Sequence, residues 1–129
     1  MKTSIIIHCL CLSFIVCHEG LSQAKIDNAM NTFKVRHSVV FTLKYPKGSA
    51  EETTFLDAAR KLSSIPGVNR FECLREISRN NSYDYGLSME FDSSQAYEAY
   101  LKHPDHEAFV QAYWAKYVKD FMEIDYEPY

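Results

Sequence analysis

The sequence has few cysteines outside its first segment. Three of the four in its 129 residues fall early, at Cys9, Cys11 and Cys17, and the fourth is Cys73. If the early segment is removed, Cys73 is left alone and no internal disulfide can form. The sequence also lacks repeats and low-complexity tracts. We therefore expect one domain that is stabilised by packing.

The long apolar run lies at the N-terminus. Lys2 is followed by an apolar stretch at 5–16, which is too short to span a bilayer comfortably and is typical of a secretory signal peptide. Ser22 and Ala24 are small residues at the minus-three and minus-one positions of a cleavage site before Lys25. We predict a protein exported to a periplasm or secreted. Its segments would be a signal peptide at 1–24, a polar leader at 25–34 and one domain at 35–129.

Lipid anchoring is the alternative fate of the first segment. Cys17 could carry a lipid after processing. The three residues before it, Phe14, Ile15 and Val16, lack the small residue that a lipoprotein signal places ahead of its cysteine. Cleavage and release are therefore favoured over an anchor.

Positive charge is not in excess. The sequence has 14 Lys and Arg against 17 Asp and Glu, and its formal net charge is −3. Surfaces that bind nucleic acid or anionic membranes carry clustered positive charge. We therefore expect no nucleic-acid partner and no membrane association beyond export.

Alternating apolar and polar residues predict strands. The first apolar set is Val35, His37, Val39, Phe41 and Leu43, and the second is Tyr83, Tyr85, Leu87, Met89 and Phe91. His37 therefore points with an apolar set. Shorter patterns at 68–77 and 121–126 predict two further strands.

Capping patterns predict the helices between these strands. Ser49 with Glu52, and Asp92 with Gln95, have the spacing of residues that begin a helix. The resulting order is strand, helix, strand, strand, helix, strand. This order predicts an α+β, ferredoxin-like βαββαβ fold, with an antiparallel sheet and helices on one face.

The other face of that sheet is left uncovered. Val40 and Leu74 would lie on it. Either this face is solvated, or a second copy of the chain covers it by pairing the two sheets into a dimeric α/β barrel. We favour the homodimer.

A break in the second helical region predicts a pocket wall. Pro104 disfavours helical conformation in the residue before it, so a helix should stop near His103 and another should start at about Asp105. His106 then lies in the first turn of the new helix, where the helix N-terminus would keep it neutral. His106 and Tyr100 beside this break are candidates for acid-base chemistry.

Each candidate also has a purely structural interpretation. His37 can be a hydrogen-bonded core histidine, and His103 can cap the end of the preceding helix by bonding a free carbonyl. His106 can be an ordinary residue of the first helical turn. Tyr85 and Tyr100 can pack with their hydroxyls bonded. No carboxylate or thiolate stands at ligand spacing from the histidines, so we predict neither a metal site nor a cofactor.

Several segments together carry a resemblance to a known family. They are 35–41, the turn at 65–68, the strand at 85–91, the break at 100–106 and the terminal 125–128. In these the chain resembles the stress-responsive dimeric A/B barrel (Dabb) family. The resemblance implies a dimer with a barrel at its interface and a pocket between sheet and helices in each subunit.

The resemblance also implies roles for single residues. By similarity to the polyketide cyclases of the family, His106 matches the catalytic base, Tyr100 its helix partner and His37 a pocket-lining histidine. Tyr85 stands where those enzymes have a further histidine, and Ala58 where they have a tyrosine.

Three functional hypotheses follow. The favoured one is a domain that binds a small apolar or aromatic molecule, without turnover, in a pocket edged by His37, Tyr85, Tyr100 and His106. The alternative is a cofactor-free, polyketide-cyclase-like lyase in which His106 is the general base and Tyr85 or Tyr100 binds an enolate oxygen. In the third, side chains fill the pocket.

Overall fold

Strands and helices follow one another in the predicted order. The computed structural model describes residues 33–78 and 80–129. The elements are β1 (Val35–Leu43), α1 (Ala50–Arg60), β2 (Asn69–Arg75), β3 (Tyr85–Phe91), α2 (Ser94–Leu101), α3 (Pro104–Phe109), α4 (Ala115–Tyr117) and β4 (Val118–Tyr126). A 3₁₀ turn at Lys61–Ser64 follows α1, and a π-helical turn at Val110–Trp114 joins α3 to α4. The predicted signal peptide at 1–24, and the predicted leader up to residue 32, lie outside the described residues.

The four strands form one antiparallel sheet in the order β2-β3-β1-β4. This confirms the predicted α+β, ferredoxin-like fold. The first and last strands are neighbours, and their register places His37 opposite Asp125. On its other side, His37 stands opposite Met89 of β3.

Aromatic side chains fill the space between helices and sheet. Phe41 and Phe55 are fully buried, and their ring centroids lie 5.4 Å apart. Trp114 packs on the same Phe41 ring at 5.2 Å. Burial of each such side chain stabilises the fold by about 1.5–3 kcal/mol. The helices therefore cover the face of the sheet that carries the first alternating apolar set.

Strand boundaries differ from the prediction. β2 is shorter than 68–77, β3 begins at Tyr85 rather than Tyr83, and β4 begins at Val118 rather than Phe121. Gly67 has a φ of 90°, and Val68 donates its N–H to the Ile65 carbonyl, so a turn occupies the predicted start of β2. Lys44 donates its N–H to the Tyr117 carbonyl, which extends the pairing with β1 back to the end of the last helix.

Helix starts are set by serine caps. Ser49 caps α1 as predicted, since its hydroxyl accepts the Glu52 N–H at 3.1 Å. The predicted cap at Asp92 is wrong. Ser93, in extended conformation, accepts the Ala96 N–H at 3.1 Å and begins α2 instead.

The predicted break at Pro104 is present, but His103 caps the start of the helix after the break and not the end of the helix before it. Pro104 occupies the first position of α3, where its missing N–H costs nothing. His103 is extended, and its Nδ1 accepts the Asp105 N–H at 3.2 Å. The prediction that His103 caps the preceding helix by bonding a carbonyl is therefore wrong, and it caps the start of α3.

The second face of the sheet has no cover within the described chain. Val40 is half-buried and Leu74 is 46% exposed. Met122 and Ile124 are exposed on the same face, since they pair with Val40 and Ser38 of β1.

As for membrane insertion, none of the helices in the described part has both the length and the apolar content to span a bilayer.

The capping role of His103 can be tested by substitution. His103→Ala should lower the free energy of unfolding by about 1 kcal/mol, because the Asp105 N–H loses its acceptor. His103→Asp supplies a carboxylate acceptor at the same position and should retain most of the stability. Urea unfolding at pH 7.5 measures both variants, and equal stability of the two would contradict the capping role.

Candidate functional site

A cavity of about 280 Å³ lies between the helices and the covered face of the sheet. Its walls come from β1, β3 and β4 on one side and from the helical region on the other. The lining is mostly apolar: Val39, Leu62, Leu87, Met89, Leu101, Phe109, Val110, Trp114 and Phe121, with His37, Tyr100, His106 and Glu123 as its polar members. An apolar cavity with a few convergent polar groups is typical of a small-molecule site.

His37 is held in one orientation by the last strand. It is 6% exposed, and its Nδ1 lies 2.7 Å from Asp125 Oδ1. The Tyr97 hydroxyl donates to the other oxygen, Asp125 Oδ2, at 2.6 Å. Because Asp125 accepts from Nδ1–H, Nε2 is the ring nitrogen that is left for a ligand.

Tyr97 and Asp125 are site residues that the sequence analysis did not single out. Tyr97 lies one helical turn before Tyr100, so the two share a face of α2, and this spacing was the available signal. Burial, and then the Asp125 carboxylate, raise the pKa of Tyr97 above its usual range. Tyr97 therefore stays protonated and donates. Nothing in the local pattern around Asp125 indicates that it faces a histidine in β1.

His106 is oriented by the helix break. Its Nδ1 lies 3.1 Å from the Leu101 carbonyl oxygen, which is at the end of α2. Nδ1–H donates to that carbonyl, so Nε2 is the unprotonated atom. Burial lowers the pKa of His106, and the Leu101 bond opposes this effect. The lowered pKa agrees with the expected neutral ring, but burial rather than the helix N-terminus is its main cause, and the role of His106 as a base stays a prediction.

The Tyr100 ring lies near both His37 and His106. It is 1% exposed, and its ring centroid lies 4.5 Å from that of His106 and 6.0 Å from that of His37. Burial, and then the Glu123 carboxylate, raise its pKa above the usual range. Tyr100 is therefore a phenol that can donate a hydrogen bond but not a proton acceptor.

Tyr85 does not join this group. It lies on the covered face but pairs with Phe41, whereas His37 pairs with Met89. Its side chain lines a separate depression together with Glu52 and Arg75. The structure therefore brings His37, Tyr100 and His106 together and places Tyr85 elsewhere, with a hydroxyl that makes no hydrogen bond within the described residues.

The tertiary structure places two carboxylates near His37, although none stands close to it in the sequence. Potential ligand atoms of His37, Glu123 and Asp125 lie within 4.8 Å of one another. Both oxygens of Asp125 already accept hydrogen bonds, from His37 and Tyr97. His103, the remaining histidine of the break, caps α3. The absence of a metal stays a prediction.

The lowered pKa of His106 predicts a pH dependence of stability. The folded state takes up this proton less readily than the unfolded state, whose histidine pKa is about 6.5. The His106 contribution is therefore present above about pH 6.5 and is lost as the pH falls through the lower folded pKa. His106→Asn, which keeps a donor for the Leu101 carbonyl, should flatten the decline in stability between about pH 7 and pH 5. Urea unfolding across this range checks the difference, and parallel curves for both proteins would refute it.

Comparison with known proteins supports the resemblance over the whole domain. Residues 35–128 match the stress responsive A/B barrel domain, Dabb. An uncharacterised protein of Streptomyces coelicolor is 33% identical over 97 residues, which are 72% of this chain and 98% of the relative. A crystal structure of a Dabb family protein with a ferredoxin-like fold from Mesorhizobium loti is 51% identical, with a TM-score of 0.73, over 75% of this chain and 98% of that one.

A more distant structure shares the fold. It is a dimeric ferredoxin-like protein of unknown function from Thermobifida fusca, 21% identical, with a TM-score of 0.63, over 76% of this chain and 93% of that one. The order of elements, the sheet topology and the match over residues 35–128 agree with one another. The chain belongs to the stress-responsive A/B barrel (Dabb) domain family.

Proposed function

We propose that this protein is an exported, homodimeric Dabb domain that binds a small apolar or aromatic molecule between its sheet and its helices. The observation that carries the proposal is the cavity of about 280 Å³ on which His37, Tyr100 and His106 converge. The rest of its wall is largely apolar, so desolvation of an apolar ligand drives binding.

Three polar side chains of the cavity, His37, Tyr100 and His106, limit which ligands fit. His37 and His106 each use Nδ1–H within the protein, so each has Nε2 left for a ligand. Tyr100 offers a phenol that stays protonated. On a ligand with an apolar body, a hydrogen-bond donor therefore suits the two Nε2 atoms, and an acceptor suits the Tyr100 hydroxyl.

The same geometry supports a second candidate, a cofactor-free lyase or cyclase. His106 is kept neutral by burial, so its Nε2 can remove a proton from a carbon next to a carbonyl group. The electron pair of the broken C–H bond moves to the carbonyl oxygen, and Tyr100 donates a hydrogen bond to the enolate that forms. The ring separation of 4.5 Å between His106 and Tyr100 supports this candidate.

The homodimer is proposed from the uncovered face of the sheet. Leu74, Met122 and Tyr126 are large apolar or aromatic side chains that are 45–50% exposed, each on a different part of this surface. Glu90 on the same face is buried and pairs with Arg36. An apolar patch with an internally satisfied charge is suited to burial against a second copy. The predicted signal peptide at 1–24 adds export to the proposal.

Native mass spectrometry of the protein from its own host tests these elements together. We expect a dimer of chains that begin near Lys25 and carry a small molecule, which denaturation should release. A chain that retains residues 1–24, or that begins at a lipid-modified Cys17, would overturn the proposed export and release. A monomer of the wild-type chain would overturn the pairing of sheets. If the pairing is correct, Val40→Lys should convert the dimer to a monomer. Gln95→Lys, on the exposed face of α2, is the control and should leave the dimer intact.

Substitution of His106 separates binding from catalysis once a bound molecule is in hand. His106→Asn keeps the bond to Leu101 and removes the Nε2 base. The lyase candidate predicts a loss of turnover of about 10²–10⁴-fold with binding retained. The binding proposal predicts no turnover in either protein and a modest loss of affinity.

The matched control is His103→Asn, which retains a helix cap and lies outside the cavity lining. It should change neither affinity nor turnover. If His106→Asn lowers stability and leaves ligand affinity and turnover unchanged, His106 serves packing alone, and its proposed parts in binding and in catalysis are both wrong.

A further inference from the structure

Glu123 places a carboxylate in the wall of the cavity. It lies on β4 opposite Val39 of β1, and it lines the cavity together with His37 and His106. Within the described residues, this lining contains no Lys, no Arg and no other carboxylate. Glu123 is therefore the one carboxylate in this lining, and it faces no lysine or arginine there.

Two other carboxylates of the sheet region have cationic partners. Glu90 pairs with Arg36, and Asp84 lies 2.6 Å from Lys47 Nζ. For Glu123 no ion pair and no hydrogen bond is found among residues 33–78 and 80–129. Its field reaches into the cavity, since it raises the pKa of Tyr100. An uncompensated negative charge at the mouth of an apolar cavity attracts cations and repels anions.

Aromatic rings line the cavity beside this carboxylate, and among them Tyr100 is 1% and Phe121 49% exposed. Trp114 and Phe121 meet edge to face, with centroids 5.4 Å apart, and both line the cavity. Tyr100 and Phe109 also belong to the lining. Aromatic faces attract ammonium groups as well as apolar bodies, most strongly where water is excluded.

We propose that the cavity selects molecules that join a protonated amine to an apolar or aromatic body, with the amine at Glu123 and the body among the rings of Tyr100, Trp114 and Phe121. This selectivity rests on the proposed binding function and adds the class of ligand. Carboxylates and phosphates of the same shape are rejected, because they would approach Glu123 with like charge and find no cation in the lining.

A divalent metal is the other cation that this wall could attract, through Glu123, Asp125 and His37. The geometry favours the amine. Asp125 Oδ1 accepts from His37 Nδ1 at 2.7 Å, and Asp125 Oδ2 accepts from Tyr97 at 2.6 Å. A metal on this cluster would compete with these hydrogen bonds for the Asp125 oxygens, whereas an ammonium group needs Glu123 alone.

Three probes of nearly equal shape test the selectivity: 2-phenylethylamine, the neutral 2-phenylethanol and the anionic 3-phenylpropanoate. Titration calorimetry of the full mature protein at pH 7.5 should give an amine affinity about tenfold above that of the alcohol, and the weakest binding for the carboxylate. The preference should shrink between about 0.05 and 0.5 M salt, because screening weakens the attraction to Glu123.

Glu123→Gln should remove the preference for the amine and leave alcohol binding within about twofold, since the shape of the wall is kept. Glu127→Gln makes the same charge change in the same terminal segment outside the lining, and it should leave the preference intact.

Each other outcome has a definite meaning. If the alcohol or the carboxylate binds as well as the amine, the amine selectivity is wrong and the binding function stands. If none of the three binds at millimolar concentration, both fail. If Zn²⁺ binds to the wild type but not to Glu123→Gln, and the amine does not bind, the cluster is a metal site and the amine proposal is overturned.

Discussion

The antiparallel pairing of β1 with β4 is the constraint on which the site depends. It places the first and last strands of the domain side by side and sets His37 opposite Asp125. The carboxylate fixes the tautomer of the histidine, and Tyr97 fixes the carboxylate. The same register brings Glu123 to the mouth of the cavity. A slip of one residue in β4 would turn both carboxylates to the other face of the sheet.

The helix break supplies the facing wall. Because α2 ends before Pro104, the Leu101 carbonyl is free to accept a bond, and His106 donates it. The helix break orients His106 and the strand pairing orients His37 in the same way. Each histidine donates Nδ1–H within the protein and leaves Nε2 for a ligand. Tyr100, between them, is buried and stays protonated. One cavity therefore holds two imidazole Nε2 atoms and one phenol donor in a largely apolar wall, with a carboxylate at its mouth.

Local patterns place residues on faces but not at positions along a sheet, and Tyr85 shows the difference. The alternation of Tyr85 with its neighbours correctly predicts that its side chain lies on the covered face of the sheet. It pairs with Phe41, however, and the cavity is centred near the level of His37 and Met89. At about 3.3 Å per residue, the four residues from Tyr85 to Met89 separate these two levels by about 13 Å. Tyr97, one helical turn from Tyr100, contacts the histidine instead.

The sequence by itself determined the order of elements, the ferredoxin-like fold, the inward direction of His37 and the break that orients His106. These follow from periodicity and from the covalent limits of proline, which act over a few residues. Tertiary structure alone decided that Asp125 and Tyr97 hold His37, that His103 caps α3 and that Glu123 lies at the cavity mouth. His37 and Asp125 are 88 residues apart in the chain, and their contact depends on the register of two distant strands, which no local pattern encodes.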